Sequence, residues 1–407
     1  MELKKTNMTV QIMVAMILGV IVGAIGRDKV QGIKILGDIF LRLIQMSIVL
    51  LVMGQIIEAI GGINPKELGR KGIKVIVIFL LTSFLAAAFG IFIAALFKPG
   101  VGMDINSISS EGAKIDLGAI GTVSETILGL FSTNVIKSMA EGSIAQVIVF
   151  AILFGIALSY IRIENVNSRF EEMISEFNKI VLKMVSIIMK IAPIGIFSLI
   201  ASTIGKGGLK VIIPLSKYLG YYGIATLIYL IIFFAIAAAY CKINIFKLVR
   251  GMTEMTLMAL ATTSSAITLP TEMKDAKEKL GISERVTKIV LPLGMSLNSN
   301  GSAMHMAFTV ITVSQFYGMT YSLSQYAYIA VLSTLVSLAN GVVPGSGLMS
   351  LAIIIPQMGL PLDSIVLFAG VEWFVGMLRT VLNVDSDTLT ALIIAKDDND
   401  IDYSVYK

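Results

Sequence analysis

The chain has 407 residues, 56% of them hydrophobic and 14% charged, with a net charge of +5. A mean hydropathy of +0.86 excludes an ordinary soluble domain and implies an integral membrane protein. The pI near 9.0 does not imply a nucleic-acid partner, because the lysines gather between apolar segments, and the single Cys241 excludes an intrachain disulfide.

In chain order, apolar stretches long enough to span a bilayer fall at about 8–26, 35–60, 73–97, 142–161, 179–203, 218–240, 286–314 and 362–395. MELKKTN begins like a signal peptide, but no clear small-residue cleavage site follows and many spans do, so a retained first helix is expected. Basic groups occur at Lys4 and Lys5, at Lys66, Arg70, Lys71 and Lys74, around Lys242, Lys247 and Arg250, and from Lys274 to Lys288. The 98–121 loop carries Asp104, Glu111 and Asp116 against Lys98 and Lys114. The positive-inside rule puts the basic groups and both termini in the cytoplasm and that loop outside. The amphipathic stretch 167–185 is expected to start a helix at the cytoplasmic surface.

Two later segments do not read as simple spans. The segment 244–281 is interrupted by ATTSSAITLP at 261–270, and 322–360 by SLANGVVPGSG at 337–347. Such residues break helical hydrogen bonding, and non-helical backbone at membrane depth survives only where it is buried or lines a cavity. Each segment is therefore expected to be a re-entrant helical hairpin, and the pair suggests an internal inverted repeat. Between them lies a broken helix, 283–314, in which Asn298, Ser299, Asn300, Gly301 and Ser302 separate two apolar halves. An unwound centre of this kind offers carbonyl and side-chain oxygens to a hard cation.

The last helix, 362–396, carries the strongest signal. Glu372, Gly376, Arg379, Thr380, Asn383 and Asp387 fall at i, i+4, i+7, i+8, i+11 and i+15, one polar stripe on an apolar rod. Ionisable groups at membrane depth mark substrate or ion pathways. Arg379 is a permanent cation with a planar fork of donors suited to a carboxylate. An internal Arg–Glu pair that only locks helices is the bland alternative. His305, the only histidine, is expected to be a hydrogen-bonded packing residue, with proton coupling as the sharper reading. No activated nucleophile or metal-ligand cluster suggests an enzyme.

Taken together, TSS and TLP in the first hairpin, NSNGS at 298–302, VPGSG at 343–347 and RTxxNVxxD at 379–387 resemble the dicarboxylate/amino acid:cation symporter family, the glutamate-transporter fold. The resemblance implies an all-α integral membrane protein with eight transmembrane helices, two re-entrant hairpins and inverted repeats. It implies a static scaffold, 1–66 and 122–203, and a mobile transport unit, 67–121 and 204–407. A homotrimer in the inner (plasma) membrane is implied as well. The implied activity is symport of a small acidic carboxylate, a C4-dicarboxylate or an acidic amino acid, coupled to Na+. Alternatives are a proton-coupled or neutral amino acid transporter of the same family, or a substrate-gated anion channel.

By the same resemblance, Arg379, Ser302 and Gly347 look like contacts to one substrate carboxylate, and Asn383 and Ser265 to the other. Thr380, Val343 and Gly376 complete the substrate set. Asp387, Asn383, Asn298 and Gly294 resemble one sodium site; Ser296, Ser337, Leu338 and Asn340 a second; Thr82, Ser83 and Asn300 a third. The departures bear on specificity. Gly376 stands where the family's amino-acid transporters have an ammonium-accepting aspartate, while Glu372 lies one turn away, so both substrate classes stay open. Asn300 replaces an aspartate and Phe79 a tyrosine, which removes charge from the third sodium site. Asp385 and Ser386 replace small residues before Asp387.

Overall fold

A computed structural model describes the chain except residues 1–7, 63–64, 103–127, 130, 165–168, 208–211, 339–345, 370 and 407. Helix α1 (Met8–Gly26) passes through a 3-10 turn, Arg27–Ile33, into α2 (Lys34–Gly61), and α3 runs Pro65–Phe97. A short α4 (Val135–Ala140) precedes α5 (Ile144–Glu164), α6 (Phe170–Met189) and α7 (Ala192–Gly207). Next come α8 (Ile212–Cys241), α9 (Ile245–Thr262), α10 (Ser265–Glu278), α11 (Glu284–Leu297) and α12 (Asn300–Phe316). The chain continues through α13 (Leu323–Ser337), α14 (Ser346–Gln357), α15 (Ile365–Ala369) and α16 (Glu372–Asp397). Among the described residues there is no strand, only an isolated bridge between Ile282 and Ile401.

Two groups of helices emerge from the packing. Helix α2 lies against α5, α6 and α7, and α1 packs along α7. There Gly19 and Gly23 bring α1 so close that an added Cβ would stand 3.0 Å from the Phe197 carbonyl and 2.6 Å from that of Ala201. Helices α3, α8 and α9–α14 gather around α12 and α16. Contacts of α14 with α2 and of α13 with α5 join the groups.

The exterior of the molecule is apolar, like much of its interior. Exposed faces carry Ile17, Ile25, Leu81, Phe92, Leu227 and Ile231, while Thr268, Glu272, Asn298, Asn300, Arg379 and Asp387 are buried. A chain surrounded by hydrocarbon keeps its polar groups inside in this way. Among the described residues three helices are long and apolar enough to cross a membrane, or up to five if each bent pair counts as one span. Breaks account for part of the difference from the expected eight. The expected span 179–203 is α6 and α7, bent by 50°, because Pro193 cannot continue a preceding helix and suits the first turn of a new one. The segment 362–395 divides similarly, Leu362–Ala369 meeting Glu372–Asp397 at 87°.

The interrupted segments adopt the local geometry their residues dictate. Helices α9 and α10 pack against each other across a two-residue break, with Thr263 left-handed at φ 51° as the C-cap and the Ser264 side chain capping α10. Asp275 ties the arms together, its Oδ2 accepting from the Met255 backbone N–H at 3.1 Å. Helices α13 and α14 also pack together, with the intervening tip outside the described residues. Asn298 is extended (φ −102°, ψ 102°) and ends α11, and α12 starts at Asn300. At one end of this group, Arg285 pairs with Asp398 at 2.7 Å and Asp400 at 2.6 Å. Nearby, hydrogen bonds from Lys277 and Lys288 hold the exposed Glu284 carboxyl down at about 2.

Candidate functional site

Helix α16 carries the polar stripe into the centre of the second helical group, where α9, α10, α11 and α12 pack on it. Arg379 is 3% exposed and Glu372 8%. Arg379 Nη1 donates to Glu372 Oε1 at 3.0 Å. Helix α14 closes on this pair through Gly347, where an added Cβ would lie 1.8 Å from Arg379 Nη1 and 2.2 Å from Glu372 Oε1. Only a glycine permits that approach. Gly376 is the opposite case: the nearest atoms to an added Cβ are Arg379 Nη2 at 3.8 Å and Thr263 Cβ at 4.0 Å. The missing side chain at 376 leaves room between α16 and the tip of the first hairpin.

The remaining residues of the expected substrate set surround the same centre. Asn383 Oδ1 accepts the Gly301 backbone N–H at 2.8 Å, which fastens the break in the α11–α12 segment to α16. Tyr222 braces it from α8, donating to the Gly301 carbonyl at 3.2 Å. Thr380 donates to the Gly376 carbonyl at 2.8 Å and so remains a helix-facing hydroxyl. Ser265 and Ser302 are buried in the first turns of α10 and α12. Val343 lies outside the described residues.

Several buried polar atoms at this centre have no partner among the described residues. They are Glu372 Oε2, Thr263 Oγ1, Asn300 Nδ2 and both ring nitrogens of His305. His305 sits edge-on to Tyr222 at 5.7 Å between centroids. A hydrogen-bonded packing histidine was expected from sequence, and the ring is packed but not bonded. Buried polar groups are ordinarily satisfied, so these unpartnered atoms make the surroundings of Arg379 a candidate ligand site.

The expected cation ligands divide unevenly. Asp387 is 0% exposed. Its Oδ1 accepts from Asn298 Nδ2 at 2.6 Å, and its Oδ2 has no partner among the described residues. Gly294 lets α11 come against this carboxylate, since an added Cβ would lie 2.6 Å from Asp387 Cγ. Ser83 of α3 donates to Asn300 Oδ1 at 2.8 Å, and the hydroxyl oxygens of Thr82 and Ser83 each lie 3.4 Å from Asn298 Oδ1. Asp387, Asn298, Thr82, Ser83 and Asn300 thus form one chain of oxygens and amides. The orphan carboxylate oxygen suits a hard cation. Asn300 adds an amide but no formal charge to this group. Of the second expected set, Ser296 is exposed and turned to the Pro292 carbonyl at 3.1 Å, and Ser337 is buried and bonded to the Thr334 carbonyl at 2.7 Å. Leu338 is buried, and Asn340 lies outside the described residues.

Sequence reading missed one neighbour of the stripe, Glu272 of α10. It is buried, and its Oε1 accepts from Thr388 at 2.9 Å. Asp385, unexplained by sequence, accepts from Thr256 of α9 at 2.8 Å. Both hydrogen bonds fasten the first hairpin to α16.

The glycines give a paired test. Gly301→Ala would put a Cβ 2.2 Å from the Arg379 carbonyl and should cost about 1–3 kcal/mol through overpacking. Gly376→Ala meets only ordinary contacts and should hold or slightly raise stability, as helix propensity favours alanine. Thermal unfolding in detergent would compare them; equal midpoints would contradict this packing.

A family model described as the sodium:dicarboxylate symporter family matches residues 8–397. The proton/sodium-glutamate symport protein of Bacillus subtilis (strain 168) is 30% identical, the match covering 96% of this chain and 93% of that protein. The proton/glutamate-aspartate symporter of Escherichia coli (strain K12) is 31% identical, over 96% and 93% respectively. The C4-dicarboxylate transport protein of Laribacter hongkongensis (strain HLHK9) is 30% identical, over 96% and 90%. These relatives are transporters and not enzymes, and the chain belongs to the sodium:dicarboxylate symporter family.

Proposed function

We propose that the protein is a secondary active symporter that brings a small acidic carboxylate, a C4-dicarboxylate or an acidic amino acid, into the cell together with sodium. The observation that carries this reading is Arg379, buried on α16 among unpartnered polar groups, with Asp387 two helical turns further along the same face. Relatives named for glutamate and for C4-dicarboxylates both support an acidic substrate. Arg379, Thr380, Asn383, Ser265, Ser302, Val343, Gly347 and the space at Gly376 form the substrate site. Asp387, Asn383, Asn298 and Gly294 hold one sodium, and Ser296, Ser337, Leu338 and Asn340 a second.

The packing supports an elevator mechanism. Helices α1, α2, α5, α6 and α7 form one body and α3 with α8–α16 the other, in line with a scaffold of 1–66 and 122–203 and a transport unit of 67–121 and 204–407. Rigid movement of the second body, gated by two re-entrant hairpins, gives alternating access. The scaffold trimerises in the plasma membrane, and both termini face the cytoplasm. Asn300 carries no formal charge where the family signature has an aspartate, so coupling to fewer than three sodium ions is the expectation.

Uptake of labelled aspartate, glutamate, succinate and malate into proteoliposomes tests the reading. Saturable uptake driven by an inward sodium gradient is expected. Uptake driven only by a proton gradient would favour the proton-coupled alternative, and non-saturating flux the channel. A reversal potential corresponding to three sodium ions per substrate would contradict the assignment at Asn300.

A further inference from the structure

Glu372 is the one carboxylate that touches Arg379 in the described structure, and it is only half used. Its Oε1 accepts from Arg379 Nη1 at 3.0 Å and the Gly347 backbone N–H also faces the carboxylate, while Oε2 is buried with no partner of ordinary hydrogen-bond geometry among the described residues. Arg379 Nη2 faces the gap at Gly376, which Thr263, with its own unpartnered hydroxyl, borders from the first hairpin. We propose that Glu372 is the substrate-amine acceptor and makes this chain select acidic amino acids over amine-free dicarboxylates. A substrate carboxylate takes the Nη2 side of Arg379 in the Gly376 gap, and the ammonium is received by Glu372 Oε2.

Charge counting supports this placement. Arg379 and Glu372 cancel as a pair, so an amine-free dicarboxylate would bring two negative charges to a neutral, desolvated site. An acidic amino acid brings one net negative charge, and its cation meets a carboxylate oxygen that lacks a donor among the described residues. Buried charges are tolerated where they are paired and hydrogen-bonded. The proposal rests on the acidic-substrate reading and goes on to name the class and the residue that decides it.

Trp373, the only tryptophan, adjoins Glu372, so its fluorescence can follow binding to purified protein at saturating sodium. The probes are L-aspartate, L-glutamate, succinate and L-malate. The wild type should bind the better amino acid tighter than the better amine-free acid by roughly 10- to 100-fold, the worth of one charge-assisted hydrogen bond. Glu372→Gln should lose that ratio while keeping or tightening succinate binding, which also reports that the variant is folded. Glu372→Asp should keep part of the ratio. A wild type that prefers succinate or malate overturns the proposal, as does Glu372→Gln with an undiminished ratio. If Glu372→Gln does not fold, an unchanged ratio in Glu372→Asp overturns it. Binding of none of the four probes would instead refute the acidic-substrate reading itself.

Discussion

Arg379→Ala is expected to abolish recognition of acidic substrates, with a loss of about 2–5 kcal/mol in binding for one desolvated charge partner. Arg379 also neutralises Glu372, and both are buried. Removing one member of such a pair strands the other and costs about 3–5 kcal/mol of stability. A non-binding variant could therefore simply be an unfolded one. The double variant Arg379→Ala with Glu372→Gln separates the two effects, because it removes the stranded charge. It should regain thermal stability in detergent and still bind neither aspartate nor succinate in calorimetric titrations at saturating sodium. Unchanged affinity for the best acidic substrate in either variant would refute the role of Arg379.

Much of this centre was legible in the sequence, for a reason particular to membranes. A charge within an apolar helix is costly enough to stand out, so Glu372, Arg379 and Asp387 are visible without any structure, and all three are buried. The helix breaks at Thr263–Ser264 and Asn298–Ser299 were equally visible, since serine and glycine runs weaken helical hydrogen bonding. What was not visible is the state of Glu372. Its i, i+7 spacing from Arg379 permits contact, but that contact is fixed by α14 closing through Gly347, more than twenty residues away in the chain. The bends at 189–192 and 369–372 escaped notice because continuous hydropathy carries no directional information.

Glu272 went unnoticed for a different reason. Ser265, Thr268, Glu272 and Asp275 fall at i, i+3, i+7 and i+10, and all four are buried. In a soluble protein a polar stripe would face water. Here the partner surface on α16, with Asp385 and Thr388, is itself polar, so the first hairpin docks by its polar side. The period was readable, but the direction in which the stripe faces follows only from the apolar exterior of the molecule.

Asn383 is placed to link substrate and cation. It lies four residues from Arg379 and four from Asp387 on one face of α16, and its Oδ1 holds the Gly301 N–H at 2.8 Å. A cation that fixes Asp387 and Asn298 would also set the helix break beside Ser302, a residue of the proposed substrate site. Coupling of this kind is reciprocal: whatever factor sodium adds to substrate affinity, substrate must add to sodium affinity.

Asp387→Asn should isolate the cation side of that linkage. The side chain keeps its size beside Gly294, where an added Cβ would already be 2.6 Å from Asp387 Cγ, so packing is retained while the formal charge is lost. The contact with Asn298 Nδ2, now at 2.6 Å, can be kept by the amide oxygen. The orphaned Oδ2 becomes part of a neutral amide and no longer offers a charged oxygen to a cation. Sodium affinity should fall by about 1.5–3 kcal/mol, the worth of a charge-assisted contact, or roughly 10- to 100-fold. Apparent substrate affinity at low sodium should fall with it through the linkage. At saturating sodium, substrate affinity should return close to the wild-type value, because Arg379 and Glu372 are untouched. Trp373 fluorescence titrations of sodium and of substrate, each at several fixed concentrations of the other, would measure all three quantities. An unchanged sodium affinity would remove Asp387 from the cation site, and a substrate deficit that persists at saturating sodium would place Asp387 in the substrate site instead.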